Sequence, residues 1–173
     1  MKKIAFIGTH GVRKTTHAHE LFVLFKRRGI NVGTLDEVAR MCPLPINENR
    51  TRESQEWIFY SQITKEIEKG NDGIDYLICD RGILDNYAYY VHPFGRDNLM
   101  DEVLRRYVQT YEKIIRVPIL GGEITADGVR STDKEFQETI DSIVLSLLRE
   151  FEVPYEDFTS VEEIAARYIP KHL

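Results

Sequence analysis

Residues 8–15 read Gly8-Thr9-His10-Gly11-Val12-Arg13-Lys14-Thr15. They fit the pattern G-x-x-x-x-G-K-[ST] at every defined position except 13, where Arg stands in place of Gly. In that pattern a tight loop wraps phosphate oxygens with backbone N–H groups, and a lysine and a hydroxyl close it. Just before the loop, Ile4-Ala5-Phe6-Ile7 is a short apolar run of the kind found in a strand buried on both faces. Just after it, Ala18, Leu21, Phe22 and Phe25 recur at i, i+3, i+4 and i+7, the apolar stripe of a helix that ends before Gly29. Strand, glycine-bearing turn and helix together make the pattern a candidate site rather than a bare match. A turn that merely tolerates small residues is the plain alternative.

A helix beginning near Lys14 aims unpaired N–H groups and a partial positive charge at a bound anion. Lys14 would bridge terminal phosphates, Thr15 would ligate Mg²⁺, and the Thr16 N–H would reach an inner phosphate. Gly8, Thr9, His10, Gly11, Val12 and Arg13 would form the wall of the loop. Arg13 is the difficulty, because a glycine there reaches positive φ without penalty. An arginine in the same geometry carries roughly 1–2 kcal/mol of strain, while its guanidinium can bond phosphate. Three readings stay open: impaired nucleotide binding, a tolerated variant with a reshaped loop, and an arginine that itself binds phosphate.

Beyond the loop, Ile30 to Leu35 reads as a second strand that delivers Asp36 and Glu37 at its end. Pro43 and Pro45 exclude a continuous helix in the next stretch. A helix is expected over Glu53 to Lys69, and a third strand over Asp75 to Asp80. Helices are expected from about Leu84 to Val91, broken by His92-Pro93, and from about Asn98 to Tyr111. Lys113 to Val117 reads as a fourth strand, 121–130 as a loop and Thr132 to Glu150 as a long helix. Phe151 to Tyr155 reads as a fifth strand and Val161 to Tyr168 as a last helix. Alternating strands and helices imply an α/β fold with a parallel, three-layer sheet. Without repeats or linkers, residues 1–173 read as one domain.

With 42% hydrophobic and 29% charged residues, the composition is that of an ordinary globular protein. A net charge of −5 does not favour non-specific nucleic-acid binding. The apolar run before Gly8 is too short for a signal peptide or a membrane span. Cys42 and Cys79 lie outside any C-x-x-C pattern and point to a cytoplasmic setting.

The third strand ends in Asp80, followed by Arg81. An acid at a strand end beside a phosphate loop can hold Mg²⁺ through water or orient an attacking group. The adjacent arginine can neutralise phosphate charge. A helix-capping Asp with a surface Arg is the alternative.

Three segments carry a wider resemblance: Gly-Thr-His-Gly-Val-x-Lys-Thr-Thr at 8–16, Cys-Asp-Arg-Gly-Ile-Leu-Asp at 79–85 and Asp-Gly-Val-Arg-Ser at 127–131. In their order and spacing the chain resembles the P-loop kinases of the nucleoside and nucleotide kinase group. It is most similar to small AAA-type ATP-binding proteins related to ribosylnicotinamide kinase domains. The resemblance implies a P-loop NTPase fold with helices on both faces of a five-stranded parallel sheet in the order 2-3-1-4-5. It also implies ATP as donor, Mg²⁺, and a mobile lid near 118–135. Arg130 resembles a lid arginine that stabilises charge on the γ-phosphate; an exposed loop arginine is the alternative. Glu37 falls where sugar kinases of this group place a carboxylate near the acceptor hydroxyl, although an acid at a helix N-terminus explains it nearly as well. Arg40 would pair with Glu37 or with an anionic acceptor. Gln62 would reach an acceptor base, with a solvated helix glutamine the better expectation.

His17 and His19 lie on different helix faces, which disfavours a metal pair. Trp57, Phe59 and Tyr60 suit packing against the sheet as well as base stacking, with the core the better expectation; Tyr87, Tyr89 and Tyr90 would line an acceptor pocket, with packing again favoured. The expected function is transfer of the γ-phosphoryl of ATP to a small nucleoside- or nucleotide-like acceptor. The rival is an inactive kinase-like protein that binds a ligand or partner. A GTPase is disfavoured by the lack of an N-K-x-D segment. A mechanical AAA ATPase is disfavoured because no helical lid domain follows the fifth strand.

Overall fold

The computed structural model describes residues 1–46, 49–119 and 133–168. Among them five strands form one sheet: β1 (Lys2–Ile7), β2 (Val32–Leu35), β3 (Tyr76–Asp80), β4 (Lys113–Arg116) and β5 (Glu156–Asp157). Their order is β2-β3-β1-β4-β5 and every pairing is parallel, as the resemblance implies. Six α-helices among the described residues connect and cover the strands: α1 (Lys14–Arg27), α2 (Arg52–Gly70), α3 (Ile83–Phe94), α4 (Asn98–Tyr107), α5 (Lys134–Glu150) and α6 (Val161–Tyr168).

Successive side chains of a strand point to opposite faces, and β1 divides its apolar run accordingly. Ile4 and Phe6 pack with Ile78 and Ile115 against Ala18, Leu21 and Phe25 of α1 and Ile164 of α6. Ala5 and Ile7 pack with Leu77, Cys79 and Ile114 on the other face, where Phe59 of α2, Tyr87 of α3 and Val144 of α5 close the layer. This two-sided burial explains why Ile4 to Ile7 is continuously apolar rather than alternating.

The parallel register sets up the site. Phe6 aligns with Asp80 and Ile7 with Arg116, so the ends of β1, β3 and β4 reach one rim together. Asp80 therefore arrives beside the turn that leaves β1.

Several boundaries differ from the sequence expectation, each for a local reason. The fifth strand lies at Glu156–Asp157, not at Phe151 to Tyr155. Glu152 takes φ 50 after α5, and the Val153 N–H turns back to donate to the Leu148 carbonyl at 2.9 Å. That left-handed stop buries Phe151 and Val153 in the core instead of pairing them. Helix α3 continues through Pro93 to Phe94 and stops at Gly95, with φ 74. A proline in the last turn leaves most of the helix's bonds intact. Helix α4 ends at Tyr107, and a 3₁₀ turn over Val108–Thr110 takes the place of its expected last turn. The segment expected as a lid lies mostly outside the described residues, and Arg130 lies wholly outside them.

No helix of the described residues is long and apolar enough to cross a membrane.

Candidate active site

The loop between β1 and α1 begins at Gly8, whose φ is 137. A Cβ there would stand 2.7 Å from the Val117 carbonyl oxygen, so only glycine fits where β1 and β4 converge. Gly11 has φ 75, and Arg13 has φ 66 and ψ 25. Position 13 thus holds the left-handed backbone that its motif reserves for glycine, and the Arg13 side chain is exposed. Its carbonyl accepts from the His17 N–H at 3.1 Å, which makes it the N-cap of α1.

Lys14 opens α1 and is buried, its ammonium donating to the Thr9 carbonyl. Burial, reinforced by the Arg81 charge, lowers its pKa from the ordinary lysine value to about 7. Thr15 donates its hydroxyl to Asp80 Oδ2 at 2.5 Å. Asp80 is buried and does not cap a helix. The cap of α3 comes from Asp85, whose Oδ1 accepts from the Gly82 N–H at 2.8 Å. Of the other loop residues, Thr9 is buried, Val12 packs against the core on the α1 face of the sheet, and Thr16 is exposed at the start of the helix.

Arg81 is buried rather than on the surface. Its Nε donates to Glu37 Oε1 at 2.6 Å and its Nη1 to Asp85 Oδ2 at 3.1 Å, while the guanidinium lies 4.9 Å from the Tyr89 ring centre. Burial opposes the charge, but Glu37, Tyr89 and Asp85 outweigh it and hold Arg81 protonated well above the ordinary arginine range. Burial also raises the Asp85 pKa, against the pull of Arg81 and Lys14. Glu37 precedes a 3₁₀ turn (Val38–Met41) but makes no side-chain cap bond to it. Its second oxygen accepts from Arg40 Nε at 3.1 Å. The structure therefore brings Lys14, Thr15, Asp80, Arg81, Glu37 and Arg40 to one rim of the sheet.

Gln62 departs from expectation. It is buried, not solvated, and sits behind the Arg81 turn, where its amide nitrogen donates to the Arg81 carbonyl at 3.3 Å. Sequence reasoning also undervalued His10, which occupies a variable position of the motif. Its ring stacks on Phe136 with centroids 5.2 Å apart, its Nδ1 lies 3.1 Å from the Tyr89 hydroxyl, and its carbonyl accepts from Gln137 at 2.7 Å. His10 thus ties the loop to α3 and to the first turn of α5. A short-range motif carries no signal of contacts that cross 127 residues.

Thr15 and Asp80 present a hydroxyl and a carboxylate together, hard oxygen donors that suit Mg²⁺. Among the described residues no cluster of three or more His, Cys, Asp or Glu forms a self-sufficient metal site. His17 pairs with Glu20 and His19 with Asp36, so the two histidines do not converge. His17 instead stacks on Phe158, with centroids 4.0 Å apart. That pair lines a groove of about 820 Å³ between α1 and the start of α6, and the groove opens beside Thr16.

No match is found among curated proteins. Among solved structures, thymidylate kinase from Ehrlichia chaffeensis superposes with a TM-score of 0.64 at 18% identity, covering 97% of this chain and 96% of that one. Deoxyadenosine kinase from M. mycoides, solved with bound dATP, superposes with a TM-score of 0.58 at 15% identity, covering 96% of this chain and 98% of the other. These likenesses identify the fold as the P-loop fold that both kinases share. A family model described as an AAA domain matches residues 3–164, nearly the whole of the sheet and its helices, and the chain belongs to that AAA domain family.

Proposed function

We propose that the protein is an ATP-dependent phosphotransferase that moves the γ-phosphoryl group to a small nucleoside- or nucleotide-like acceptor. The observation that carries this reading is the meeting of two half-sites on one rim. Lys14 and the Thr15–Asp80 pair stand at the head of α1, and the Glu37–Arg81 pair lies beside them. The kinase fold supports the same reading.

Phosphoryl transfer needs positioning and electrostatic stabilisation more than covalent chemistry. The loop N–H groups and the N-terminus of α1 would hold the donor phosphates. Lys14 would leave the Thr9 carbonyl for the β- and γ-phosphates, which would draw its proton back. Thr15 and Asp80 would hold Mg²⁺, which when bound neutralises charge on the phosphates. The donor base would lie in the groove beside Thr16, against the His17–Phe158 stack. Glu37 would accept the proton of the acceptor hydroxyl, and Arg81 would steady charge on the group in transit. Arg81 already bonds two carboxylates, which supports an uncharged hydroxyl acceptor over one that brings its own phosphate.

The second reading, an inactive kinase-like binder, is favoured by one observation, the arginine at a left-handed position of the phosphate loop. Single-turnover transfer from γ-labelled ATP to a panel of nucleosides and nucleoside monophosphates tests both. Transfer by this chain supports the kinase, and transfer by Arg13→Gly alone supports the inactive binder. No transfer from either defeats the kinase.

A further inference from the structure

Arg81 has φ 91, a left-handed backbone that strains a side-chain-bearing residue. The turn that carries it is held by a complete set of hydrogen bonds. The Arg81 N–H donates to the Phe6 carbonyl at 3.0 Å, and the Arg81 carbonyl accepts from Gln62 Nε2 at 3.3 Å. The Gly82 N–H donates to Asp85, and the Ile83 N–H donates to the Tyr111 hydroxyl at 3.1 Å. Two of these partners, Gln62 and Tyr111, lead to the same carboxylate. Glu66 Oε1 accepts from Gln62 Nε2 at 2.8 Å and from the Tyr111 hydroxyl at 2.7 Å. Its Oε2 accepts from Lys3 at 2.7 Å and from the Tyr107 hydroxyl at 3.0 Å.

The direction of these bonds is what matters. An ionised carboxylate only accepts, and a tyrosine has a single O–H to give. Because Tyr111 gives its proton to Glu66, its oxygen is left to accept from Ile83. Because Gln62 turns its nitrogen to Glu66, the second hydrogen of that nitrogen faces the Arg81 carbonyl. The amide is locked that way round because Gln62 Oε1 accepts from Asn86 at 3.1 Å. Lys3 balances the charge, with its ammonium 4.1 Å from the Tyr107 ring centre and 4.6 Å from that of Tyr111. Glu66 and Gln62 are both buried, so water cannot stand in for a lost partner.

We infer a positioning relay in which Gln62 and Tyr111, tied together by Glu66, hold the strained Arg81 turn and so aim the Arg81 guanidinium at Glu37. Its catalytic consequence rests on the proposed phosphotransfer; the positioning itself does not. Gln62 belongs to this relay rather than to an acceptor pocket.

The test is Gln62→Leu, which removes the donor to Arg81 with little change in volume. Amide hydrogen exchange of the free protein, followed by NMR, needs no substrate. The amides of Arg81, Gly82 and Ile83 are expected to exchange about tenfold faster, the size set by one lost buried hydrogen bond, while Ala5 and Phe6 of β1 change less. In the turnover assay kcat is expected to fall about tenfold with the KM for ATP within about twofold, since only Arg81 is displaced. Equal acceleration at both places, or none, overturns the relay. If Gln62→Leu does not fold, Tyr111→Phe enters the network from its other end and is expected to speed exchange at Ile83 first. Local acceleration in a protein that transfers no phosphoryl group keeps the relay and rejects the kinase. Transfer without local acceleration does the reverse.

Discussion

Replacing Arg13 by glycine should make the protein more stable and its nucleotide binding tighter. At φ 66 and ψ 25 the arginine sits in the left-handed region, which costs a residue with a Cβ roughly 1–2 kcal/mol. It also places a cation at the N-terminus of α1, where the helix dipole opposes it by roughly 0.3–1 kcal/mol. Glycine gives back about 0.4–1 kcal/mol through its freer unfolded chain. The balance favours Arg13→Gly by about 1.5 kcal/mol, which in a protein of this size raises Tm by roughly 3–6 °C. Scanning calorimetry on the two proteins reads this directly, and a Tm at or below that of the parent would refute the strain argument. The same pair titrated with Mg²⁺–ATP isolates the ligand side. Removing a Cβ next to the phosphate path should tighten binding by up to about tenfold, or 1.4 kcal/mol. Equal affinities would show that the arginine burdens folding alone.

Three further outcomes follow from the loop. Lys14, its pKa lowered to about 7 in the free protein by burial, is largely neutral at pH 8, and a bound phosphate would restore its charge. ATP binding at pH 8 should therefore take up close to one proton, measured by calorimetry in buffers of different ionisation enthalpy, and an uptake unchanged in Lys14→Met would reject this assignment. The unfolded chain keeps that lysine protonated up to its ordinary value of 10.5. It thus binds more protons than the folded chain between about pH 7 and 10, and the Lys14 contribution to stability should rise with pH across that window. Gly8→Ala should lower stability by roughly 3 kcal/mol or more, since the new Cβ meets the Val117 carbonyl at 2.7 Å and the backbone must also leave φ 137; a thermal midpoint equal to the parent's would show that β4 can yield.

How much of this was legible beforehand depended on whether a feature was local or long-range. The phosphate loop, the stripe of Ala18, Leu21 and Phe25, and the run Ile4 to Ile7 each carry their pattern within a few residues, and each appears where it was read. Asp80 and Glu37 were legible as acids at strand ends. That Glu37 would seize Arg81 was not, because the pair spans 44 residues. Gln62 looked like a surface glutamine because its helix is largely polar, and only the fold shows that its face turns inward. The fifth strand was misplaced because Phe151 and Val153 are apolar enough for a strand, while the left-handed stop at Glu152 that diverts them falls on a residue type that rarely takes it.

The central place of β1 has a consequence for how the chain is made. The ribosome releases this strand well before its neighbours β3 and β4, which are encoded far downstream. At bacterial-to-eukaryotic synthesis rates, the roughly one hundred residues between β1 and β4 take about 5–20 s to emerge. Until β3 emerges Ile4 to Ile7 has no strand to pair with, and until β4 emerges one edge of it stays open to chaperones and to other nascent chains. The Gly8 turn, which packs against the Val117 carbonyl, cannot reach that contact until β4 arrives. β1 and its turn are thus among the last parts to reach their working form, and substitutions that slow the docking of β4 should lower the yield of protein before they alter its chemistry.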